Sequence, residues 1–423
     1  MSGFLGCLPC NSDGKKESGD GTLTPVIPVQ YEIESKTLHL PSDTSFDSEP
    51  EFSKDEKTVT KKDPPWNEPS RNEAARSNRA LVVAAKGAYA LIDYEFPTLA
   101  YGKEVVTRNL ATGLNPIDFK TVDYNFCLPE FPWVTGRGMA GAVEVVGEEG
   151  FKVGDRVWTR LGLGMGCKRK FTGTYYRERR AGCFQQFVTV PSHTVLHLPS
   201  NLSFDSAACL GIAALTAAMT LWRWLQVPMS PPSPQPTLTS VVEEKKEYLL
   251  IWRGSTVTGQ FAIQIAKRCG LDVIAVTSAK TRSLAENLGA IVVVRDGKTE
   301  DEIVSELRRN GEDNIIRAID LVATHTANFC LKAFSKDEGQ KCLFAPLAMI
   351  SSKAQVPENV TVETVEMKQF VLSKESRVYA VELNRLIEEG AIVLAGLEVL
   401  DGGLDVVVEG LEVEEGGYPE NGG

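Results

Sequence analysis

The sequence predicts an α/β protein that combines a small β-rich domain with a doubly wound parallel sheet. Two observations carry this prediction. Between about residues 79 and 200, short apolar strands alternate with glycine-containing turns, which is typical of a small, partly open barrel. From Tyr248 onward, short apolar runs alternate with helical segments, which is typical of βαβ units and a parallel sheet.

Length and composition limit the classes of function. The chain has 423 residues, enough for two or three domains, and a formal net charge of -11, which argues against nonspecific nucleic-acid binding. No apolar run reaches the length of a membrane span, and no signal peptide is visible. Nine cysteines occur without regular spacing. We therefore expect a reduced, cytoplasmic protein that binds neither nucleic acid nor a membrane.

Residues 1–75 differ from the rest of the chain. Ser, Asp, Glu, Lys and Pro dominate there, and no periodic apolar segment is present. Burial within such a segment could not offset the entropy lost on ordering it. We predict that 1–75 is a disordered N-terminal tail.

The β-rich domain is predicted to span 76–222. Its strands include 80–84 and 104–111, and further strands lie in the glycine-punctuated stretches 136–158 and 182–191. A helical segment that begins near Asn201 and continues through Met219 follows them.

The stretch from Tyr248 to Thr277 is the centre of the predicted parallel sheet. Tyr248–Trp252 is a continuous apolar run, as expected of a strand buried on both faces. A loop of small residues, a helix and a second buried strand follow. Backbone N–H groups at the start of such a helix suit the pyrophosphate of a dinucleotide. The loop supplies the candidate cofactor-binding residues Gly254, Ser255, Thr256, Val257, Thr258 and Gly259.

The glycine fingerprint of this loop is incomplete. Of the glycines of G-x-G-x-x-G, only Gly254 and Gly259 frame the loop, and Arg253 directly precedes them. The same spacing begins a P-loop, but Gln260 and Phe261 stand where Lys and Ser or Thr are required, so the residue types exclude an ATPase. An α/β unit without a nucleotide remains the alternative.

The end of the second strand indicates which dinucleotide is bound. NAD-selective sites place an Asp or Glu there to bind the ribose 2′-hydroxyl. This segment instead carries a hydroxyl at Ser278 and cations at Lys280 and Arg282, without a carboxylate. These groups suit a 2′-phosphate, so the sequence favours NADPH. The alternative for Lys280 and Arg282 is that they are solvated residues in the first turn of the next helix.

The α/β pattern continues beyond Lys280, and the domain built on it is predicted to span 223–370. A proline-rich loop over 228–247 precedes its first strand. Further strands are predicted at 291–294, 318–322 and 341–345, with helices at 299–310 and 326–334. The ligand of such a sheet lies at the carboxyl ends of its strands.

Four strings in a fixed order resemble one known family. They are "NPIDFK", "FKVGDRVW", "GCFQQFVTVP" and "LTAAMTLW", and together with the glycine loop they resemble the zinc-less branch of the medium-chain dehydrogenases/reductases over roughly residues 79 to 410. That branch includes fungal trans-acting enoyl reductases, which partner polyketide synthases, and quinone-reductase-like relatives. The resemblance implies a GroES-like β-barrel catalytic domain, completed by 371–423, a Rossmann domain for NADPH, and a monomer or homodimer.

The residues do not favour zinc. Zinc-dependent members of the family use Cys, His and Glu around the metal. Gly136-Arg137-Gly138 stands where such a member carries Gly-His-Glu, and Asn115–Asp118 stands where its first Cys would lie. The structural zinc lobe needs four closely spaced cysteines, which this chain lacks. We predict no metal. Arg137 is interpreted as facing a phosphate or an acyl carrier, or as capping a strand.

An activated alkene is the substrate that needs the least electrophilic help. A conjugated carbonyl lets a hydride add at the β-carbon, and one or two hydrogen-bond donors stabilise the resulting enolate. The resemblance implies that Lys120 and Thr216 hydrogen-bond the nicotinamide ribose and that Tyr124 is a candidate catalytic acid. Alternatively, Lys120 is a surface cation at a turn, and Thr216 bonds to its own preceding helical turn.

The sequence thus predicts an NADPH-dependent, metal-independent reductase of a conjugated carbon–carbon double bond. The expected substrate is a small molecule or an acyl-carrier-bound enoyl group, and a polyketide synthase is a candidate partner. A quinone or aldehyde reductase remains an alternative. A catalytically inactive accessory protein of the same fold is another, because Arg253 alters the glycine loop and 414–419 replaces the closing strand expected of the family.

Overall fold

A computed structural model describes residues 24–28, 77–99, 103–124, 128, 130–147, 150–160, 182–229 and 246–416. Within these residues the strands form three sheets of seven, six and three strands. The strands are β1 (Thr24–Pro28), β2 (Asn78–Ala85), β3 (Ala88–Tyr94), β4 (Glu104–Gly113), β5 (Trp133–Val134), β6 (Gly138–Val146), β7 (Arg156–Arg160), β8 (Phe187–Pro191), β9 (Val195–His197), β10 (Tyr248–Trp252), β11 (Asp272–Thr277), β12 (Ile291–Val294), β13 (Ile315–Asp320), β14 (Cys342–Pro346), β15 (Val360–Val362) and β16 (Leu397–Val399).

The helices connect these strands or cover the sheets. The α-helices are α1 (Pro116–Asp123), α2 (Phe204–Ala208), α3 (Leu215–Met219), α4 (Val257–Arg268), α5 (Arg282–Asn287), α6 (Glu300–Asn310), α7 (Thr324–Ala333), α8 (Lys368–Leu372), α9 (Arg377–Glu388) and α10 (Val407–Gly416). Short 3₁₀ turns lie at Ser192–Thr194, Ala279–Thr281, Lys374–Ser376 and Gly403–Val406.

The six-stranded sheet is the doubly wound sheet that the sequence predicts. Its order is β12-β11-β10-β13-β14-β15, and all five strand pairs are parallel. All five residues of β10 are buried, which explains its continuous apolar run. Trp252 pairs with Val276 on one side and with Asp320 on the other, so the strands end level at one edge. The predicted α/β fold class is confirmed.

The seven-stranded sheet forms most of the first domain. Its order is β16-β1-β4-β6-β7-β9, with β8 also paired to β4, and the pairs are antiparallel except β1 with β4. Glycine lets the strands approach closely at one point, because a Cβ on Gly141 would lie 1.9 Å from the Arg108 carbonyl oxygen. β16 joins this sheet although it follows all six strands of the parallel sheet in the chain. That 371–423 completes the first domain stays a prediction.

The strand β1 corrects the prediction for the N-terminal segment. Thr24–Pro28 lies within 1–75, which the composition predicts to be disordered, yet it pairs with β4 on one side and β16 on the other. Composition could not reveal this strand because its hydrogen-bonding partners lie far away in the sequence. The remaining residues of 1–75, and most of the proline-rich loop over 228–247, lie outside the described residues.

A mostly buried helical stretch links the first domain to the parallel sheet. It runs from Phe204 to Trp224 as α2 and α3 with a π-helical turn after each, and the Ser203 hydroxyl caps its start. It is long and apolar enough to cross a membrane, but 83% of its most apolar window is buried inside the protein, as in the core helix of a soluble protein. Its side chains share one core with residues of α4 and α9. The predicted helix through Met219 is therefore present.

Most predicted element boundaries agree with the structure within three residues. The largest shift concerns the strand predicted at 318–322, which is β13 at Ile315–Asp320. Ile315 and Ile316 are buried and belong to the strand, whereas the chain turns after Asp320, whose carboxylate accepts a hydrogen bond from the Val322 amide. This places Asp320 at the carboxyl edge of the sheet, beside the glycine loop.

Candidate active site

The glycine loop lies where β10 ends at the carboxyl edge of the parallel sheet. The amides of Arg253 and Gly254 both donate to the Val276 carbonyl of β11, which ties the loop to the neighbouring strand. The Thr256 hydroxyl accepts from the Gly259 amide at 3.1 Å and caps α4. The first amides of a helix have no intrahelical partner, so they are available to an anion.

Both glycines of the loop are required by close contacts. A Cβ on Gly254 would lie 2.7 Å from the Ala275 Cβ, and a Cβ on Gly259 would lie 2.6 Å from the Gly254 carbonyl oxygen. Arg253 has a φ of 67°, in the left-handed region that favours glycine. Arg253 therefore holds a backbone conformation that glycine adopts without strain, at a cost of about 1 kcal/mol.

The segment after β11 holds the residues predicted to bind a 2′-phosphate. Ser278 is buried, and its hydroxyl lies 3.0 Å from that of Thr281. Lys280 and Arg282 are exposed, and Arg282 forms an ion pair with Glu286 at 2.7 Å. A hydroxyl and two cations thus lie at the carboxyl end of β11, as the sequence predicts, although Glu286 neutralises one of the cations.

Two residues that the sequence reasoning did not consider also lie here. The Arg295 amide donates to the Thr277 carbonyl at 3.0 Å, and Asp296 Oδ2 accepts from the Ala279 amide at 2.6 Å. Both residues follow β12, and the parallel pairing of Thr277 with Val294 brings them to the segment after β11. Asp296 follows β12 and not β11. A search of the sequence for a carboxylate directly after β11 therefore could not find it.

Of the predicted catalytic residues, Lys120 and Thr216 lie on two different helices, and Tyr124 directly follows the first of them. Lys120 is in the last turn of α1, partly buried, with its Nζ 5.8 Å from the Phe119 ring centroid. Tyr124 follows one turn later, with its amide bonded to the Lys120 carbonyl, and its side chain is 56% exposed. Thr216 is fully buried in α3, and its hydroxyl has no hydrogen-bond partner in the described part of the chain. Thr216 therefore does not bond to its own preceding turn.

Arg137 does not face a phosphate or an acyl carrier, as the sequence had suggested, because it is buried in an ion pair. Its Nη1 lies 2.6 Å from Asp118 Oδ1, and its Nη2 donates to the Thr121 hydroxyl at 2.8 Å. Both side chains are more than nine-tenths buried. Burial raises the pKa of the Asp118 carboxyl, and the Arg137 charge opposes that rise. This pair joins α1, which carries Lys120, to the turn before β6.

Tyr89 lies beside this ion pair and was missed in the sequence. Its hydroxyl is buried and finds no hydrogen-bond partner among the described residues. Burial raises the pKa of Tyr89 well above its usual value, and the negative charge of Asp118 adds to the rise. The hydroxyl therefore stays protonated and is available as a donor. A single tyrosine in a strand gives no signal in the sequence.

Comparison with known proteins agrees with this architecture. Residues 102–200 match the model of the alcohol dehydrogenase GroES-like domain. A trans-enoyl reductase of Fusarium heterosporum is 27% identical over 368 residues, which cover 80% of this chain and 95% of the relative. A trans-enoyl reductase of Aspergillus sclerotiorum is 28% identical and is likewise covered over 95% of its length. The chain is therefore similar to fungal trans-enoyl reductases over nearly their whole length, and it carries a GroES-like domain.

Solved structures of similar proteins share the fold. The quinone oxidoreductase of Pseudomonas syringae superimposes with a TM-score of 0.60 at 21% identity, covering 82% of this chain and 98% of that one. The quinone oxidoreductase of Escherichia coli, solved in complex with NADPH, gives 0.59 at 18% identity, covering 80% and 97%. The resemblance to the medium-chain dehydrogenases/reductases seen in the sequence is confirmed.

The residues of the glycine loop and of α3 fit a nicotinamide dinucleotide. The loop presents its backbone without room for a side chain at Gly254 or Gly259. The Thr216 and Thr258 hydroxyls are buried and have no partner in the described protein, which is the state expected of groups that bond to a ligand. Within the described residues, no three His, Cys, Asp or Glu side chains cluster as metal ligands would.

Asp320 is an unusual acid at the carboxyl edge of the parallel sheet. Burial raises its pKa from 3.8 to about 7, although the Val322 amide and the Thr326 hydroxyl donate to it and Arg253 lies near enough to lower it. The folded state therefore binds more protons than the unfolded state between pH 3.8 and about 7. The free energy of unfolding falls as the pH rises through this window, by about 4 kcal/mol in total.

We expect Asp320→Asn to stabilise the protein at pH 8, because the amide keeps an acceptor for the Val322 N–H without a buried charge. The gain in melting temperature should be several degrees at pH 8 and should shrink towards pH 5, where the native carboxyl is protonated. Thermal unfolding across this range checks the prediction. Asp401→Asn removes an exposed carboxylate and should change little. A gain that is the same at both pH values would contradict the assigned titration.

Proposed function

We propose that this protein reduces a carbon–carbon double bond conjugated to a carbonyl or thioester, with NADPH as the reductant and without a metal. The observation that carries the proposal is the similarity to trans-enoyl reductases, which extends over about 95% of their length. The preserved glycine loop and the unpartnered Thr216 hydroxyl support the same conclusion. The substrate class is a small-molecule or acyl-carrier-bound enoyl group, with a polyketide synthase as the proposed partner.

NADPH, when bound, supplies the hydride that reduces the alkene. The contribution of the protein is to hold the reacting groups in position and to stabilise the negative charge that develops on the carbonyl oxygen. Lys120 and Thr216 are proposed to bond to the nicotinamide ribose, and Tyr124 is proposed to donate a proton. The sequence resemblance aligns Arg137 with a zinc ligand of related enzymes, and its guanidinium, held by Asp118, would repel a metal cation.

Quinone reduction is the second candidate, because the similar solved structures include quinone oxidoreductases. A quinone is also a conjugated acceptor, so the same cofactor geometry would serve it. An accessory protein without catalysis is the third reading, supported by the incomplete glycine fingerprint of the loop and by Arg253 at its start. Binding and product analysis separate these three readings.

Isotope transfer tests the reaction. With NADPH deuterated at the transferred position and a 2-enoyl thioester, the label should appear at the β-carbon, and the activity should survive strong chelators. Lys120→Ala should slow hydride transfer roughly 10- to 100-fold, because the nicotinamide would lose a positioning group. The control Lys86→Ala removes an exposed lysine of the same domain and should leave the rate unchanged.

Three results would count against the proposal. Chelator-sensitive oxidation of simple alcohols, or label at a carbinol carbon, would place the protein with the zinc-dependent members. Reduction of quinones but of no enoyl thioester would select the second candidate. Failure to bind any nicotinamide dinucleotide would favour the accessory protein.

The cofactor preference is a separate prediction. NADPH should bind at least tenfold more tightly than NADH, a difference of about 1.4 kcal/mol or more. The reason is that Ser278 and Lys280 lie at the carboxyl end of β11, where a 2′-phosphate would lie. Lys280→Ala should weaken NADPH binding and leave NADH binding nearly unchanged, as measured by nicotinamide fluorescence. Equal affinities, or a preference for NADH, would contradict it.

A further inference from the structure

The carboxylate of Asp296, which follows β12, lies against the segment proposed to bind the ribose 2′-substituent. Its Oδ2 accepts from the Ala279 amide at 2.6 Å, between Ser278 and Lys280. Its side chain is 47% exposed, so the carboxylate is anchored to the segment and still reaches solvent. The anchoring bond fixes a negative charge at the place where the sequence shows only a hydroxyl and cations.

The cations around Asp296 are partly neutralised. Arg282 is engaged by Glu286 at 2.7 Å. The Nε of Arg295 lies 3.9 Å from Asp296 Oδ1, close enough for a weak ion pair. Lys280 is exposed beside the anchored carboxylate. The charges near the segment are therefore mixed, and a dianionic phosphate would meet repulsion as well as attraction.

We propose that Asp296 sets the cofactor selectivity of this site by limiting its affinity for the 2′-phosphate of NADPH. This inference rests on the dinucleotide binding of the proposed function, but not on the identity of the reduced substrate. The carboxylate repels a 2′-phosphate and offers an acceptor to a ribose 2′-hydroxyl. The site consequently retains measurable affinity for NADH, and the preference for NADPH is smaller than the cations alone would give.

The test is Asp296→Asn, which keeps an oxygen acceptor for the Ala279 amide and removes only the charge. NADPH should bind about tenfold more tightly to the variant, whereas the affinity for NADH should change less than twofold. The increase should shrink in 1 M salt, because screening weakens repulsion between exposed charges. Nicotinamide fluorescence gives both affinities, and calorimetry with adenosine 2′,5′-bisphosphate and 5′-AMP probes the same pocket without the nicotinamide.

A matched control is Asp337→Asn. Asp337 is also an exposed aspartate whose carboxylate accepts a backbone amide, that of Gly339 at 3.0 Å, but it follows α7 near the amino ends of the strands. Its variant should bind both cofactors like the parent. An equal gain for NADPH and NADH, or no gain, would overturn the proposal. If the parent protein reduces no enoyl thioester but the variant still shows the selectivity shift, the proposed substrate is rejected and the role of Asp296 stands. If neither protein binds an adenosine ligand, both proposals are rejected.

Discussion

Replacing Gly259 with valine is expected to abolish dinucleotide binding, with NADPH affinity falling at least a hundredfold. The Cβ of the new side chain would lie 2.6 Å from the Gly254 carbonyl oxygen and 2.8 Å from that of Arg253. Both oxygens belong to the backbone and cannot move alone. The loop would have to separate from α4, and the amides that face the pyrophosphate would lose their arrangement. A hundredfold loss corresponds to about 2.7 kcal/mol.

Fluorescence titration of NADPH measures this effect, and circular dichroism checks that the fold persists. Gly339→Val serves as the control, because Gly339 is exposed and the nearest atom to its added Cβ is a side-chain oxygen of Asp337 at 3.3 Å. An affinity within a factor of three of the parent in the Gly259 variant would show that this loop does not hold the cofactor.

Replacing Asp118 with alanine is expected to destabilise the protein by about 3 to 5 kcal/mol, because Arg137 would be left as a buried charge without its carboxylate. The same change removes the acceptor of the Asn115 amide at the start of α1. Chemical unfolding measures the loss. Adding Arg137→Met to the Asp118 variant should recover part of it, since the uncompensated charge is then removed.

An exposed ion pair provides the comparison for this prediction. Arg385 bonds to Glu389 at 2.6 Å on the surface of α9, where water screens both charges, so Glu389→Ala should have little effect. If the Asp118 variant loses no more stability than the Glu389 variant, or if the double variant is less stable than the single one, the buried pair does not have the assigned role.

Features that depend on the local sequence pattern could be predicted from the sequence. The five apolar residues of β10 form a strand with the predicted bounds because a strand buried on both faces needs no polar alternation. The position of the glycine loop follows from that strand and from the helical spacing after it. Arg253 shows the limit of the motif: the backbone keeps its left-handed turn although the side chain is not glycine.

Features that depend on contacts between segments distant in the sequence could not be predicted. Asp296 reaches Ala279 only because β11 and β12 pair in a particular parallel register. In the sequence, the glycine-rich turn around Arg137 allows three interpretations: contact with a phosphate, contact with an acyl carrier, or capping of a strand. Its actual partner, Asp118, is 19 positions away on a different element. The strand β1 depends on partners in β4 and β16. In each case the deciding contact joins segments whose proximity no local pattern encodes.

The way the first domain is assembled from distant segments has a consequence for the order of folding. Leu404, Val407 and Leu411 complete a core begun by residues such as Leu81 and Leu114. All six strands of the parallel sheet lie between them in the chain. During synthesis the parallel sheet can therefore close while the first domain still lacks part of its core. Contacts of such long sequence separation form slowly. The last step of folding should therefore be the docking of α10 onto the rest of the first domain.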